Sequence, residues 1–150
     1  MKNGVTGKLY RCIRSMYKTV KVRVRCGAHF TECINCTRGV KRGDVYSPVL
    51  FSLFINELAL EIINNGKHGV TFSSFLVELF ISLFADDIIL LCETVTGLQT
   101  QLNSLCHAAS DLKLKININE SNIIVFRKGG YLASHERWFY DDIKMEVANS

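Results

Sequence analysis

The stretch Leu79-Phe80-Ile81-Ser82-Leu83-Phe84-Ala85-Asp86-Asp87-Ile88-Ile89-Leu90-Leu91 sets two aspartates in the middle of an otherwise apolar run. Unpaired carboxylates buried in such a run cost several kcal/mol or are forced neutral. Asp86 and Asp87 are therefore expected at an exposed turn. Leu79 to Ala85 and Ile88 to Cys92 then become two short, buried strands, each of ordinary length and rich in Ile, Leu and Phe. The acids project from the tip of that hairpin.

Two adjacent carboxylates on a rigid turn suit a hard divalent cation, because Mg2+ is held by one or two carboxylates with phosphates and waters completing its shell. Metal-assisted phosphoryl transfer is the chemistry such a site serves best. The bland alternative is a polar hairpin turn, since Asp pairs are common turn residues. Asp141-Asp142, between Trp138-Phe139-Tyr140 and Ile143 to Val147, reads as such a turn. What sets Asp86-Asp87 apart is the unbroken apolar flank on both sides.

Working outward, 150 residues that are nearly half hydrophobic can bury one modest core. Residues 2–21 alternate basic and apolar side chains without the continuous apolar segment of a secretory signal. No run reaches the roughly 18 to 20 apolar residues that span a bilayer, since Asp86-Asp87 and Glu57 interrupt the two best candidates. The expectation is an intracellular chain without a membrane segment, in nucleus or cytoplasm. Six irregularly spaced cysteines fit a reducing compartment. Only Cys26, His29, Cys33 and Cys36 cluster, and the absence of a matching second cluster argues against zinc.

The formal charge of +4 conceals an asymmetry. Residues 1–42 hold eleven of the eighteen Lys and Arg and one acid, Glu32, giving +10 against −6 for the remainder. A cationic front end beside an acidic site suits a protein that handles nucleic acid and metal, although a solvated basic face is also common.

Leu9, Ile13, Met16 and Tyr17 recur at helical spacing and predict a basic amphipathic helix from Lys8 to Thr19. The period then changes to two in Val20 to Arg25, placing three valines on one strand face and Lys21, Arg23 and Arg25 on the other. Gly27 is expected to turn that strand into a partner ending near Thr37. Ser47-Pro48 predicts a helix start, Ser47 as cap and Pro48 in the first position, running to about Ile63 with an apolar face of Leu50, Leu53, Phe54, Leu58 and Ile62. Its N-terminus is expected to aim at the loop Gly39 to Gly43, where backbone N–H groups with Lys41 and Arg42 can meet a phosphate. A strand from Val70 to Phe75 is expected next. Beyond the hairpin, Leu98, Leu102, Leu105, Ala109 and Leu112 predict a helix after Gly97, followed by strands at Leu114 to Asn117 and Ile123 to Phe126. The order describes an α+β fold, an antiparallel sheet with packed helices.

Taken together, these segments resemble the palm of reverse transcriptases of non-LTR (LINE-type) retrotransposons. Gly39 to Phe51 resembles the family's glycine-turn motif leading through Ser-Pro-x-Leu-Phe into a helix, and Phe84-Ala85-Asp86-Asp87 its catalytic box. Gly97 to Phe126 is similar to the following palm motif, and Trp138 to Ser150 to the approach to the primer grip. The likeness covers nearly the whole chain, residues 1–150, in the family's order, and implies a partial polymerase palm with the thumb and most of the fingers outside it.

The resemblance implies, for the complete enzyme, RNA-templated DNA synthesis by a two-metal mechanism on a DNA primer with deoxynucleoside triphosphates and Mg2+ (or Mn2+), and an isolated 150-residue chain that is inactive. Asp86 would bind both metal ions, Asp87 would support the site, and Phe84 would pack beneath the primer end. Gly39, Lys41, Arg42 and Gly43 would approach the nascent base pair and template, and the basic front end with Lys21, Arg23 and Arg25 would track the backbone. The chain departs from the family at Arg42, where glutamine is usual, and at Glu120-Ser121, where a Lys-Thr pair is usual. No segment before Gly39 resembles the strand that carries the family's further metal-binding aspartate. The alternatives are a non-enzymatic nucleic-acid-binding remnant and a relic without function. Apolar edges are expected to favour self-association.

Overall fold

The computed structural model describes residues 4–65, 69–72, 77–127 and 129–148, which divide into two compact units, 1–53 and 54–150.

In the first unit, helix α1 (Gly7–Lys18) lies one residue from its predicted span. It buries no residue, and Leu9 is 59% exposed. The following period-two stretch does not form one strand. It breaks into β1 (Val20–Val22) and β2 (Arg25–Cys26), with Arg23 and Val24 irregular between them. β2 pairs with β3 (His29–Phe30) across Gly27, and β1 pairs antiparallel with β4 (Ile34–Cys36). The hairpin that Gly27 was expected to turn is present. The single face of three cations is not, because Arg23 lies outside both strands. Val22 and Val24 stay exposed, so no apolar contact holds the stretch straight.

Helix α2 (Ser47–Asn65) crosses from one unit into the other. Its buried stripe is Ile55, Leu58, Ala59 and Ile62, the i, i+3, i+4, i+7 spacing of a helix face. Leu53 and Phe54, predicted to lie on the apolar face, are 38% and 39% exposed. The stripe is thus rotated relative to the expected one, which apolar residues all round the helix could not specify. With 19 residues and mean hydropathy 1.3, α2 is long and apolar enough to cross a membrane. The expectation that Glu57 breaks the stretch below membrane length is not met, because Glu57 and Glu61 leave its mean hydropathy high. The buried stripe runs along one side only, and Leu60 and Ile63 are exposed.

In the second unit, β5 (Val70–Phe72) pairs with β6 (Val77–Leu79). The Ser73 to Phe75 part of the expected strand lies outside the described residues. β7 (Ile81–Phe84) and β8 (Asp87–Leu90) form the expected hairpin, shorter than predicted. It is not buried on both sides. Ile81, Leu83, Ile88 and Leu90 form a half-buried face, and Ser82, Phe84, Asp87 and Ile89 an exposed one. Phe84 is 81% exposed.

Helix α3 (Val95–Asp111) starts two residues before Gly97, because Thr94 supplies the cap: its side chain accepts a hydrogen bond from Gly97 N at 3.1 Å. It buries Leu102, Leu105, Ala108 and Ala109, close to the predicted face. Leu114 to Asn117 is not a strand. Leu114 and Ile116 turn inward and Lys115 and Asn117 outward, as period two requires, but the segment has no ladder partner and runs into a 3-10 turn, Ile118–Glu120.

β9 (Asn122–Ile124) pairs with β12 (Glu146–Ala148) in parallel, against the antiparallel expectation. The connection between them contains the hairpin of β10 (Phe139–Tyr140) and β11 (Ile143–Lys144), and a crossover of that length makes a parallel pair feasible. Asp141 and Asp142, both in the left-handed region with φ 46° and 64°, form its two-residue turn. Among the described residues the strands make six two-stranded pairs rather than one sheet, since ladders of two to four residues offer little edge to extend. Leu102, Ile123, Trp138 and Met145 form a core on which Leu90, Val95, Leu98, Val125 and Tyr140 pack. The class is α+β.

Candidate functional site

The tip of β7–β8 is a two-residue loop, Ala85-Asp86, closed by the pair Phe84 and Asp87. Asp86 therefore sits in the turn and Asp87 opens β8, and both are exposed. Residues directly opposite share a face of a hairpin, so Asp87 lies beside Phe84 on the outer side. The inner side reaches the core through Leu90.

Asp86 and Asp87 offer hard oxygen donors at an accessible point. Such a pair fits a Mg2+ shell completed by waters and phosphate oxygens. Among the described residues no third Asp, Glu, His or Cys joins them in a metal-sized cluster.

The glycine turn belongs to the first unit. Gly39 and Gly43 have φ of 80° and 82°, conformations in which a side chain is strained, and open space surrounds both Cα atoms. Between them Arg42 is exposed, whereas Lys41 is half-buried with its Nζ over the Tyr17 ring, 5.5 Å from the centroid. Ser47 begins α2 and is buried; its hydroxyl donates back to Lys41 O at 2.5 Å rather than capping the helix. Tyr17 Oη lies 3.2 Å from Ser47 Oγ and donates to Asp44 Oδ2 at 3.4 Å.

The Asp44 carboxylate also accepts from Tyr46 N at 3.1 Å. An anion of the chain's own thus occupies part of the helix start that the sequence had assigned to a phosphate. Sequence reading missed Tyr17 and Asp44 as supports of this turn, because their contacts span 27 and 30 residues. The aspartate immediately after Gly43 was the available signal.

The cations of the front end are partly engaged. Arg23 Nε donates to Cys33 Sγ at 3.0 Å and Arg25 Nε to Gly27 O at 3.0 Å, while Lys21 is exposed on β1. Glu120 and Ser121 lie in the turn after Asn117; Ser121 Oγ donates to Asn117 O at 2.8 Å, and Glu120 is exposed.

Near the end of the described chain, Arg127 Nη2 meets both carboxylate oxygens of Glu136 at 2.8 and 2.9 Å, and Ala133 N donates to the same carboxylate at 2.6 Å. The Ala133 amide and the Arg127 guanidinium hold the Glu136 carboxyl below its ordinary value. This ion pair closes the loop that carries the exposed Tyr131.

Residues 4–137 match the family model of the reverse transcriptase (RNA-dependent DNA polymerase) domain. The chain is also 34% identical over 83 residues to the retrovirus-related Pol polyprotein from the type-2 retrotransposable element R2DM of Drosophila melanogaster. That alignment covers 55% of this chain and 8% of the polyprotein, so the chain spans a small part of its relative's length. The Asp-Asp hairpin, the glycine turn and the family match over residues 4–137 agree: the chain belongs to the reverse transcriptase (RNA-dependent DNA polymerase) family, on the side of the non-LTR retrotransposons.

Proposed function

We propose that this chain is palm sequence of an RNA-directed DNA polymerase of a LINE-like element, and that Asp86 and Asp87 are its metal-binding acids. The observation that carries the reading is the exposed Phe84-Ala85-Asp86-Asp87 tip on a hairpin whose opposite face is seated inward. Reverse transcriptase domains use divalent metal ions, and Mg2+ (or Mn2+) held at Asp86 with support from Asp87 would neutralise charge developing on the phosphate of the incoming nucleotide. Phe84, exposed beside Asp87, offers an apolar platform for the end of a DNA primer. The Gly39 to Gly43 turn presents Arg42 outward, where it meets template or nascent base pair. Lys21 and the remaining cations of residues 1–42 contact phosphates without regard to sequence.

The partners on this reading are an RNA template, a DNA primer and deoxynucleoside triphosphates inside the cell, in nucleus or cytoplasm. Exposed Phe84, Ile89, Phe126 and Tyr131 favour self-association where nothing else covers them.

A second reading is favoured by one observation: no third metal-ligating group joins the acid pair among the described residues. On it the chain binds nucleic acid through its basic stretch and carries out no synthesis. Primer extension on an RNA template by the complete enzyme that contains this sequence separates the two, the 150-residue chain alone being expected to make no DNA. The polymerase reading expects Mg2+-dependent incorporation that falls at least a thousandfold in Asp86→Asn while template binding persists. Template binding with no incorporation by the unsubstituted complete protein would sink it in favour of the second.

A further inference from the structure

Helix α3 carries two glutamines, Gln99 and Gln101, whose amides leave it on different sides, because two residues are about 200° of helical rotation. Gln99 makes a reciprocal pair with the backbone of Phe139, forty residues away. Its Nε2 donates to Phe139 O at 2.9 Å, and its Oε1 accepts from Phe139 N at 2.9 Å. The side chain thus stands in for a neighbouring strand at the start of β10. Nε2 also donates to Asn103 Oδ1 at 2.8 Å, one turn along the helix, which fixes the amide's orientation.

Gln101 is 1% exposed, and its Nε2 donates to Leu91 O at 3.0 Å. Leu91 is the residue leaving β8, and Leu91 N donates to Phe80 O at 2.9 Å, adding a rung to the β7–β8 ladder. The other end of the amide, Oε1, is buried without a partner among the described residues. A half-satisfied buried amide is less favourable for stability than leucine would be at the same place. Stability therefore does not explain a glutamine there, and its bond to the hairpin does.

We infer that Gln99 and Gln101 are positioning residues that mount two hairpins on one helix. Gln101 fixes the hairpin that carries Asp86 and Asp87, and Gln99 fixes β10–β11. The tether stands on geometry alone; its catalytic consequence rests on the polymerase reading.

Amide hydrogen exchange on the 150-residue chain, with primer extension by the complete enzyme carrying the same substitutions, tests both parts. Gln99→Met should speed exchange of the Phe139 amide at least tenfold while the Met145 amide, bonded to Trp138 O, stays slow. Gln99→Glu, which keeps an acceptor for Phe139 N–H but sets a second acceptor against Phe139 O and Asn103 Oδ1, should restore that protection only in part. Gln101→Met should speed exchange of the Leu91 amide and lower kcat at least tenfold with the nucleotide KM unchanged. Gln101→Leu provides the same comparison if the methionine variant does not fold. Unchanged exchange at Phe139 in Gln99→Met, or a Phe139 amide already unprotected in the parent chain, overturns the tether. Expected exchange with an unaltered kcat in both Gln101 variants overturns the positioning role. Expected exchange together with no synthesis by the unsubstituted complete protein supports the tether and refutes the polymerase reading instead.

Discussion

Phe84 and Asp87 face each other across the tip of the β7–β8 hairpin with only Ala85 and Asp86 between them. The register puts the aromatic ring and the second carboxylate on one exposed face and leaves Asp86 at the summit. The close turn that achieves this needs a left-handed residue, and Ala85, with φ of 53°, supplies it.

That backbone is costly for a residue with a Cβ. Ala85→Gly should stabilise the chain by about 0.5–1 kcal/mol, the relief of a left-handed alanine less the added flexibility of glycine in the unfolded state. Ala85→Val should destabilise it by about 1–2 kcal/mol, because a branched side chain tolerates this region poorly. Urea titration of the three proteins checks the order, and a valine variant as stable as the parent would contradict it.

The hairpin was legible because two acids in a run of Ile, Leu and Phe admit few placements, and α3 because Leu98, Leu102, Leu105 and Ala109 keep one period. Which side of the hairpin faces inward was not legible, since Leu83, Phe84, Ile88 and Ile89 are alike in composition. Register decides it, and register depends on the turn. Leu114 to Asn117 shows another limit: its alternation foretold which residues turn inward, but a strand needs a partner that local sequence does not name. The contacts of Tyr17 with Asp44 and of Gln99 with the Phe139 backbone join groups 27 and 40 residues apart, and no local pattern names such a partner.

The basic front end should act through phosphates. Replacing Lys21, Arg23 and Arg25 together with alanine should weaken RNA and DNA binding alike. It should also reduce the slope of log affinity against log salt by about 0.7 per lost single-strand contact, or about 0.9 per lost duplex contact. Arg23 and Arg25 each commit only Nε, to Cys33 and Gly27, so each guanidinium keeps further donors with which to meet a phosphate. Fluorescence anisotropy across a salt series measures the slope, and a triple variant with the parent's slope would show that the phosphates are met elsewhere.

Tyr17 should matter to the glycine turn through its hydroxyl. Tyr17→Phe removes the contacts to Ser47 and Asp44 but keeps the ring beneath Lys41, so the expected loss is about 0.5–1.5 kcal/mol. Tyr17→Ala should lose more, because the ring contact goes as well. Equal stabilities for the two variants would mean that Lys41 gains nothing from the ring.

Burial pushes Tyr140 up to about 12, with further contributions from Cys106 and Asp141. A phenol held neutral in the folded chain contributes stability that is fully present below pH 10, where the unfolded chain still keeps its proton. That contribution is lost as pH rises from 10 towards 12. The difference in phenolate absorbance between the parent and Tyr140→Phe isolates this one group. Its midpoint should fall near 12, and a midpoint at 10 would show that the ring is solvated.

Trp138, the only tryptophan, reports on whether α3 and the β10–β11 hairpin are joined as described. It is 3% exposed, and its Nε1 donates to Val95 O at 3.0 Å, in the first turn of α3. The parent chain should therefore fluoresce at short wavelength, resist quenching by acrylamide and shift to the red on unfolding. Trp138→Phe keeps an aromatic ring against Leu102, Ile123 and Met145 but loses the indole bond and part of the volume, so it should cost about 1–3 kcal/mol. Gln99→Met removes the neighbouring tether without touching the indole, so it should leave the emission unshifted. If that variant red-shifts the emission, the glutamine and the indole hold the hairpin as one cooperative unit rather than as two separate fastenings.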